Sequence, residues 1–226
     1  MPEPEKGHAV LYSAKLLARR LLSDKTFEVE LDRPAAFTFL PGQRIRFIHD
    51  EMERDYSLVS AADDPSMALC IRRVEGGTFS PLLASVAMGS RFSFTGPHGY
   101  FVFHPSGKPA VFVATGTGIA PFVSMSRSGL TGFTLLHGVQ DAGDLYYEPL
   151  LRSAARQYIP CLSGKSSDRF VPRGSFHGRV TDYLEHSFPA GLYDFYLCGR
   201  LEMIRDVTLL VDERFPGSLI HTETFY

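Results

Sequence analysis

Ala110-Val111-Phe112-Val113-Ala114-Thr115-Gly116-Thr117-Gly118-Ile119-Ala120-Pro121 is the stretch on which the fold turns. Residues 110–114 are continuously apolar, which fits a strand buried on both faces. Thr115, Gly116, Thr117 and Gly118 follow, and a helix is expected from Ile119. Pro121 falls in its first turn, where a missing N–H has no helical partner in any case. Glycines at such a joint let a diphosphate approach the backbone, and the helix start supplies free N–H donors and partial positive charge. A strand–turn–helix joint without a ligand uses the same residues, so this stretch alone leaves both readings open. Pro121 stands where a dinucleotide turn has its third glycine, and no acid clearly closes the next strand.

Downstream of this joint, strands are expected at 133–136, 158–162, 193–198 and 219–224, alternating with helices at 145–157, 180–186 and 201–211. With 110–114 this gives an α/β doubly wound, five-stranded parallel sheet with right-handed crossovers. Upstream, short runs rich in Val, Ile, Phe, Tyr and Leu at 9–17, 26–31, 43–48, 55–60, 68–74 and 91–95 are separated by turn residues. A short helix at about 80–86 interrupts them. Strands at this spacing suggest a closed antiparallel β-barrel. The texture changes across Pro105-Ser106-Gly107-Lys108-Pro109, so the expected domains are 1–104, a barrel, and 105–226, an α/β layer.

Composition removes several functions. A net charge of −2 argues against nucleic acid as the main partner. No run reaches the ~18 apolar residues of a membrane span. The acidic, proline-rich start Met1-Pro2-Glu3-Pro4-Glu5 is unlike a secretory leader, so a cytoplasmic location is expected. Three scattered cysteines, Cys70, Cys161 and Cys198, form neither a disulfide framework nor the four thiolates of an iron–sulfur cluster. The eight histidines show no metal-binding spacing, so no metal site is expected.

Two further motifs lie in the barrel half. In Arg54-Asp55-Tyr56-Ser57, strand alternation puts Arg54 and Tyr56 on one face and Asp55 and Ser57 on the other. By itself this also suits a barrel strand with a polar outer face. Gly76-Gly77-Thr78-Phe79-Ser80-Pro81 adds a glycine turn that opens a helix, a second place for an anion, which the Arg54 guanidinium could complete. One phosphate site in each half, with a tyrosine suited to ring stacking, suggests two nucleotide cofactors meeting between the domains.

Taken in order, these motifs resemble the ferredoxin–NADP reductase-like flavoproteins over nearly the whole chain. Arg54-Asp55-Tyr56-Ser57 matches the family's Arg-x-Tyr-Ser signature, and Gly77-Thr78-Phe79-Ser80 its Gly-x-x-Ser. Pro41-Gly42-Gln43, Gly96-Pro97-His98-Gly99-Tyr100-Phe101, Thr115–Pro121 and Asp144-Leu145-Tyr146-Tyr147 follow in the family's sequence. Leu197-Cys198-Gly199-Arg200 with Met203, and the ending Glu223-Thr224-Phe225-Tyr226, complete it. The resemblance implies FAD in the first domain and NADPH or NADH in the second. Arg54 and the backbone N–H groups of Thr78, Phe79 and Ser80, beside Gly77, would hold the flavin diphosphate. Tyr56 would pack on one flavin face and Phe225 on the other, with Tyr226 beyond it, while the Ser57 hydroxyl would bond flavin N5. Cys198 and Glu223, with Gly199 and Met203 near, would line the nicotinamide pocket, and Thr115, Gly116, Thr117 and Gly118 would receive the pyridine nucleotide diphosphate.

Two departures bear on the coenzyme. Gly164 replaces the arginine that grips the 2′-phosphate in many relatives, and Gln140 replaces another. Ser163, Lys165, Ser166 and Ser167 still offer a cation and hydroxyls, which leans towards NADPH with NADH accepted. The implied activity is hydride transfer from NAD(P)H to FAD, then single electrons to a separate carrier: ferredoxin, flavodoxin or an oxygenase component. A free-flavin or small-molecule reductase, and a non-catalytic electron-transfer subunit, are the alternatives.

Overall fold

A computed structural model describes residues 10–164 and 171–224. Two six-stranded sheets organise it. The first is antiparallel, built from β1 (Leu11–Leu21), β2 (Thr26–Asp32), β3 (Arg44–His49), β4 (Met52–Ser57), β5 (Ser66–Arg72) and β6 (Arg91–His98), in the order β4-β3-β6-β1-β2-β5. A Leu58–Leu69 bridge brings its two edges together and closes the barrel. Alternate residues such as Phe27, Val29, Leu31, Ile45, Phe47 and Phe94 fill the interior. Helix α1 (Phe79–Ser85) covers one end with Phe79 and Leu83.

The second sheet is parallel: β7 (Ala110–Thr115), β8 (Thr134–Val139), β9 (Gln157–Leu162), β10 (Phe176–His177), β11 (Asp194–Gly199) and β12 (Leu219–Thr224), in the order β10-β9-β8-β7-β11-β12. Helices α2 (Ala120–Arg127) and α3 (Glu148–Ala154) pack on one face, and α4 (Val180–His186) and α5 (Leu201–Arg214) on the other. The sides of β11 show the doubly wound plan, with Tyr196 and Cys198 in one core and Phe195 and Leu197 in the other. The chain reverses its direction of travel across the sheet between β7 and β11, the switch point where open α/β sheets bind ligands.

Three expectations are corrected. The parallel sheet has six strands, not five; β10 is two residues long, too short to leave a periodic pattern. Strand β4 ends at Ser57 rather than starting at Asp55, because a two-residue turn at Asp50-Glu51 sends the chain straight back along β3. Helix α3 starts at Glu148, not at 145, since Tyr147 takes a left-handed φ of 59°.

That break has a packing reason. Tyr146 and Tyr147 reach out of the α/β layer into the barrel. The Tyr146 hydroxyl lies 2.7 Å from Thr26 Oγ1, and the Tyr147 hydroxyl donates to Glu28 Oε2 at 2.8 Å. Glu28 also pairs with Arg20 at 2.7 Å and Arg127 at 3.5 Å. Burial pushes its carboxyl up, but hydrogen bonds from Arg20 and Tyr147 outweigh that, and it stays below the usual carboxylate range. Ser124 Oγ donates to Ser60 O at 2.7 Å on the same side. The two layers are therefore joined by buried or half-buried polar bonds behind the switch point.

Candidate active site

At the switch point two loops interlock. A Cβ on Gly118 would stand 2.3 Å from the Cys198 carbonyl oxygen, and one on Gly199 only 2.2 Å from Thr115 Oγ1. Thr115 Oγ1 in turn accepts the Arg200 N–H at 3.1 Å. Gly116 differs: its φ is +56° and a Cβ there would meet nothing within 4 Å. Gly118 and Gly199 thus serve close packing, whereas Gly116 leaves backbone open to the cleft in front. Gly118→Ala is expected to cost about 1–3 kcal/mol by overpacking against backbone that cannot rotate away. Thermal denaturation beside Gly116→Ala checks this; a smaller loss at 118 than at 116 would contradict it.

The cleft has a volume of about 650 Å³. Thr115 and Gly116 line it, with Gly138 at the end of β8, Gln140 after it, Ser163 after β9, and Met203 on α5. Arg72, Arg179 and Arg200 line it as well. Arg72 and Arg179 did not stand out in the sequence, because they come from the end of β5 and the start of α4 and share no local pattern, and Arg200 stood out only as a neighbour of Gly199. Thr117 is half-buried in the 3₁₀ turn Gly116–Ile119, before α2. Gly164 has a steric cause: its N–H bonds Gln140 O at 3.0 Å, and a Cβ there would lie 2.5 Å from that oxygen. The contact is made by the main chain of 140, so it accounts for Gly164 and not for the Gln140 side chain.

In the barrel, β4 presents Arg54 to solvent, with Nη1 donating to Glu53 O at 2.7 Å. Tyr56 is half-buried, packed at 6.2 Å on Phe79, and burial pushes its phenol up to about 12. Phe79 also meets Phe47, the partner of Arg54 across β3 and β4, so the 77–80 turn and the Arg54 strand sit side by side. Gly77 and Thr78 are exposed. Ser80 Oγ accepts the Val74 N–H at 3.0 Å, so its side chain ties the glycine turn while its backbone opens α1. Ser57 Oγ is buried and has no hydrogen-bond partner among the described residues. A buried hydroxyl without a partner costs stability, and such groups mark places where a ligand completes the bonding.

Glu223 reaches the same region from the other layer. It lies opposite Cys198 on β11 and its carboxylate bonds Arg44, which pairs with Ser57 in the β3–β4 register. A cleft of about 600 Å³ opens beside it, lined by Arg44, Arg46, His98, Tyr100 and His221 among others. Cys198 does not line either cleft; it is fully buried, and burial raises its thiol well above the usual range. Its side chain lies in the core with Ile119, Ala120 and Tyr196. Lys165, Phe225 and Tyr226, named from the sequence, lie outside the described residues.

Both halves match known families. Residues 13–103 fit the oxidoreductase FAD-binding domain and residues 112–208 the oxidoreductase NAD-binding domain. Ferredoxin–NADP reductase B of Sorangium cellulosum is 36% identical, with 95% of this chain and 97% of that one aligned. The chain belongs to the ferredoxin–NADP reductase family of FAD- and NAD(P)-binding oxidoreductases. The electron transfer component of toluate 1,2-dioxygenase from Pseudomonas putida is 30% identical over 87% of this chain, which spans 62% of that protein. An Amycolatopsis cytochrome P450 reductase superimposes with a TM-score of 0.80 at 28% identity, covering 96% of this chain and 71% of that one. The Neisseria gonorrhoeae ferredoxin NADP+ reductase, solved with bound FAD and NADP, shares the fold with a TM-score of 0.81 at 22% identity, covering 96% and 99%. Among the described residues no helix is long and apolar enough to cross a membrane.

Proposed function

We propose that the protein takes hydride from NAD(P)H onto FAD and hands the electrons singly to a separate carrier, a ferredoxin, a flavodoxin or an oxygenase component. The observation that carries this reading is the buried hydroxyl of Ser57, without a hydrogen-bond partner among the described residues, on the strand that also presents Arg54 and Tyr56. The residues fit the flavin. Arg54 would clamp the diphosphate beside the 77–80 turn, and Tyr56 would pack on the ring. Bound FAD supplies the hydride acceptor and the means to divide an electron pair. Ser57 would orient it, and Gly116 would leave room for the pyridine nucleotide diphosphate at the switch point. The domain division that suits these roles falls at 104/105. Three buried, unpaired cysteines and a need for reduced pyridine nucleotide suit the cytoplasm.

An anaerobic visible spectrum before and after NADPH or NADH tests the reading. Flavin bands that bleach with either coenzyme support it; a protein purified and reconstituted without flavin absorbance overturns it. Ser57→Ala is expected to retain FAD and slow its reduction about 10-fold or more, the loss of one hydrogen bond near the reacting atom. An unchanged stopped-flow rate would remove Ser57 from the mechanism.

A further inference from the structure

The ion bridge between the layers at the front of the molecule has no assigned role. Arg44 on β3 donates through Nε to Asp55 Oδ2 at 2.9 Å, and its Nη1 bonds Glu223 Oε1 on β12. Asp55 is held from a second side by Arg46, whose Nε and Nη2 donate at 2.6 and 2.9 Å. That fork fixes Asp55 as a rigid anchor. One end of the Arg44 guanidinium is thereby fixed within the barrel, and the other end faces the last strand of the α/β layer. The backbone makes space for it: Gly99 has a φ of +90°, and a Cβ there would lie 2.8 Å from Arg44 Nη1.

We propose that Arg44 is a positioning residue for Glu223: bridged to Asp55, it docks the end of β12 on the barrel and holds the Glu223 carboxylate aimed. This rests on the reading that Glu223 serves the nicotinamide site. The groups facing Glu223 are Arg44 and Asp55 from the barrel and buried Cys198 from β11; the cleft beside it adds Arg46, His98 and His221. Burial raises the Glu223 carboxyl above its usual range, Asp55 adds to that, and only Arg44 opposes it. Losing one partner of a half-buried pair such as this leaves a charge less compensated, which a carboxylate relieves by binding a proton. Because Glu223 then binds its proton at higher pH, the anionic form is lost from the acid side upwards.

The experiment is a 13C carboxyl titration of the FAD-loaded protein, labelled at glutamate, with Glu223→Gln used to assign the resonance. In Arg44→Ala the Glu223 midpoint is expected to rise by one pH unit or more, and in Arg44→Lys by less. The pH profile of flavin reduction by NADPH should move with it. A Glu223 midpoint unmoved in both Arg44 variants overturns the proposal. A Glu223→Gln protein that is reduced at the wild-type rate overturns the active-site reading of Glu223 instead, whatever Arg44 does. Should Arg44→Ala fail to fold, Arg44→Lys carries the titration, since a lysine keeps the charge but cannot span both carboxylates at once.

Discussion

Arg54→Ala is expected to lower FAD affinity about 10- to 150-fold, the loss of a charge-assisted contact of about 1.5–3 kcal/mol. The side chain is exposed and, among the described residues, bonds only a neighbouring carbonyl oxygen, so its removal leaves the barrel core untouched. Loss of flavin should therefore come without loss of fold. Dialysis followed by absorbance measures retained cofactor, and circular dichroism reports the fold. Full occupancy after dialysis would show that the 77–80 turn holds the diphosphate unaided.

Arg179→Ala should separate the two coenzymes. The 2′-phosphate calls for a cation, and Arg179 lines the cleft together with Ser163 and Thr181. Its main-chain N–H bonds Asp182 Oδ2 at 2.8 Å, so the start of α4 stays capped when the side chain is cut. The expected result is a 10- to 100-fold fall in kcat/KM for NADPH, with NADH changed less than about twofold, in line with a fork contact to phosphate. An equal loss for both coenzymes would move Arg179 from phosphate recognition to general support of the cleft. Lys165→Ala is the companion measurement on the neighbouring loop.

Much of this molecule was legible beforehand, and the reason is physical. The run 110–114 is apolar because β7 is covered on both faces, and Gly118 is glycine because the β11 turn touches it. Ordered motifs singled out Arg54, Tyr56, Ser57 and Glu223 as candidates, and the fold brings Ser57 and Glu223 to one arginine. Arg44 itself left no signal. It sits in an alternating strand pattern, Arg44-Ile45-Arg46-Phe47, where a polar outer face is the ordinary reading. Its partner is 179 residues away, and only the closed barrel against the parallel sheet makes them neighbours. Tyr146 and Tyr147 misled in the opposite direction: apolar spacing suggested helix, while their hydroxyls were committed to Thr26 and Glu28 across the boundary.

The turn at Gly164 has a consequence for how this chain could change its coenzyme over evolutionary time. Placing an arginine at 164 by one codon change would drive its Cβ into the Gln140 carbonyl oxygen, at 2.5 Å. The step is unfavourable before any phosphate contact can reward it. The loop after β8 would have to loosen first, and that change alone brings no gain. Selection acting one substitution at a time is thereby steered away from 164 and towards positions such as 179, which already line the cleft. Coenzyme preference should be easier to change through the start of α4, and libraries built to reverse it should vary 179 before 164.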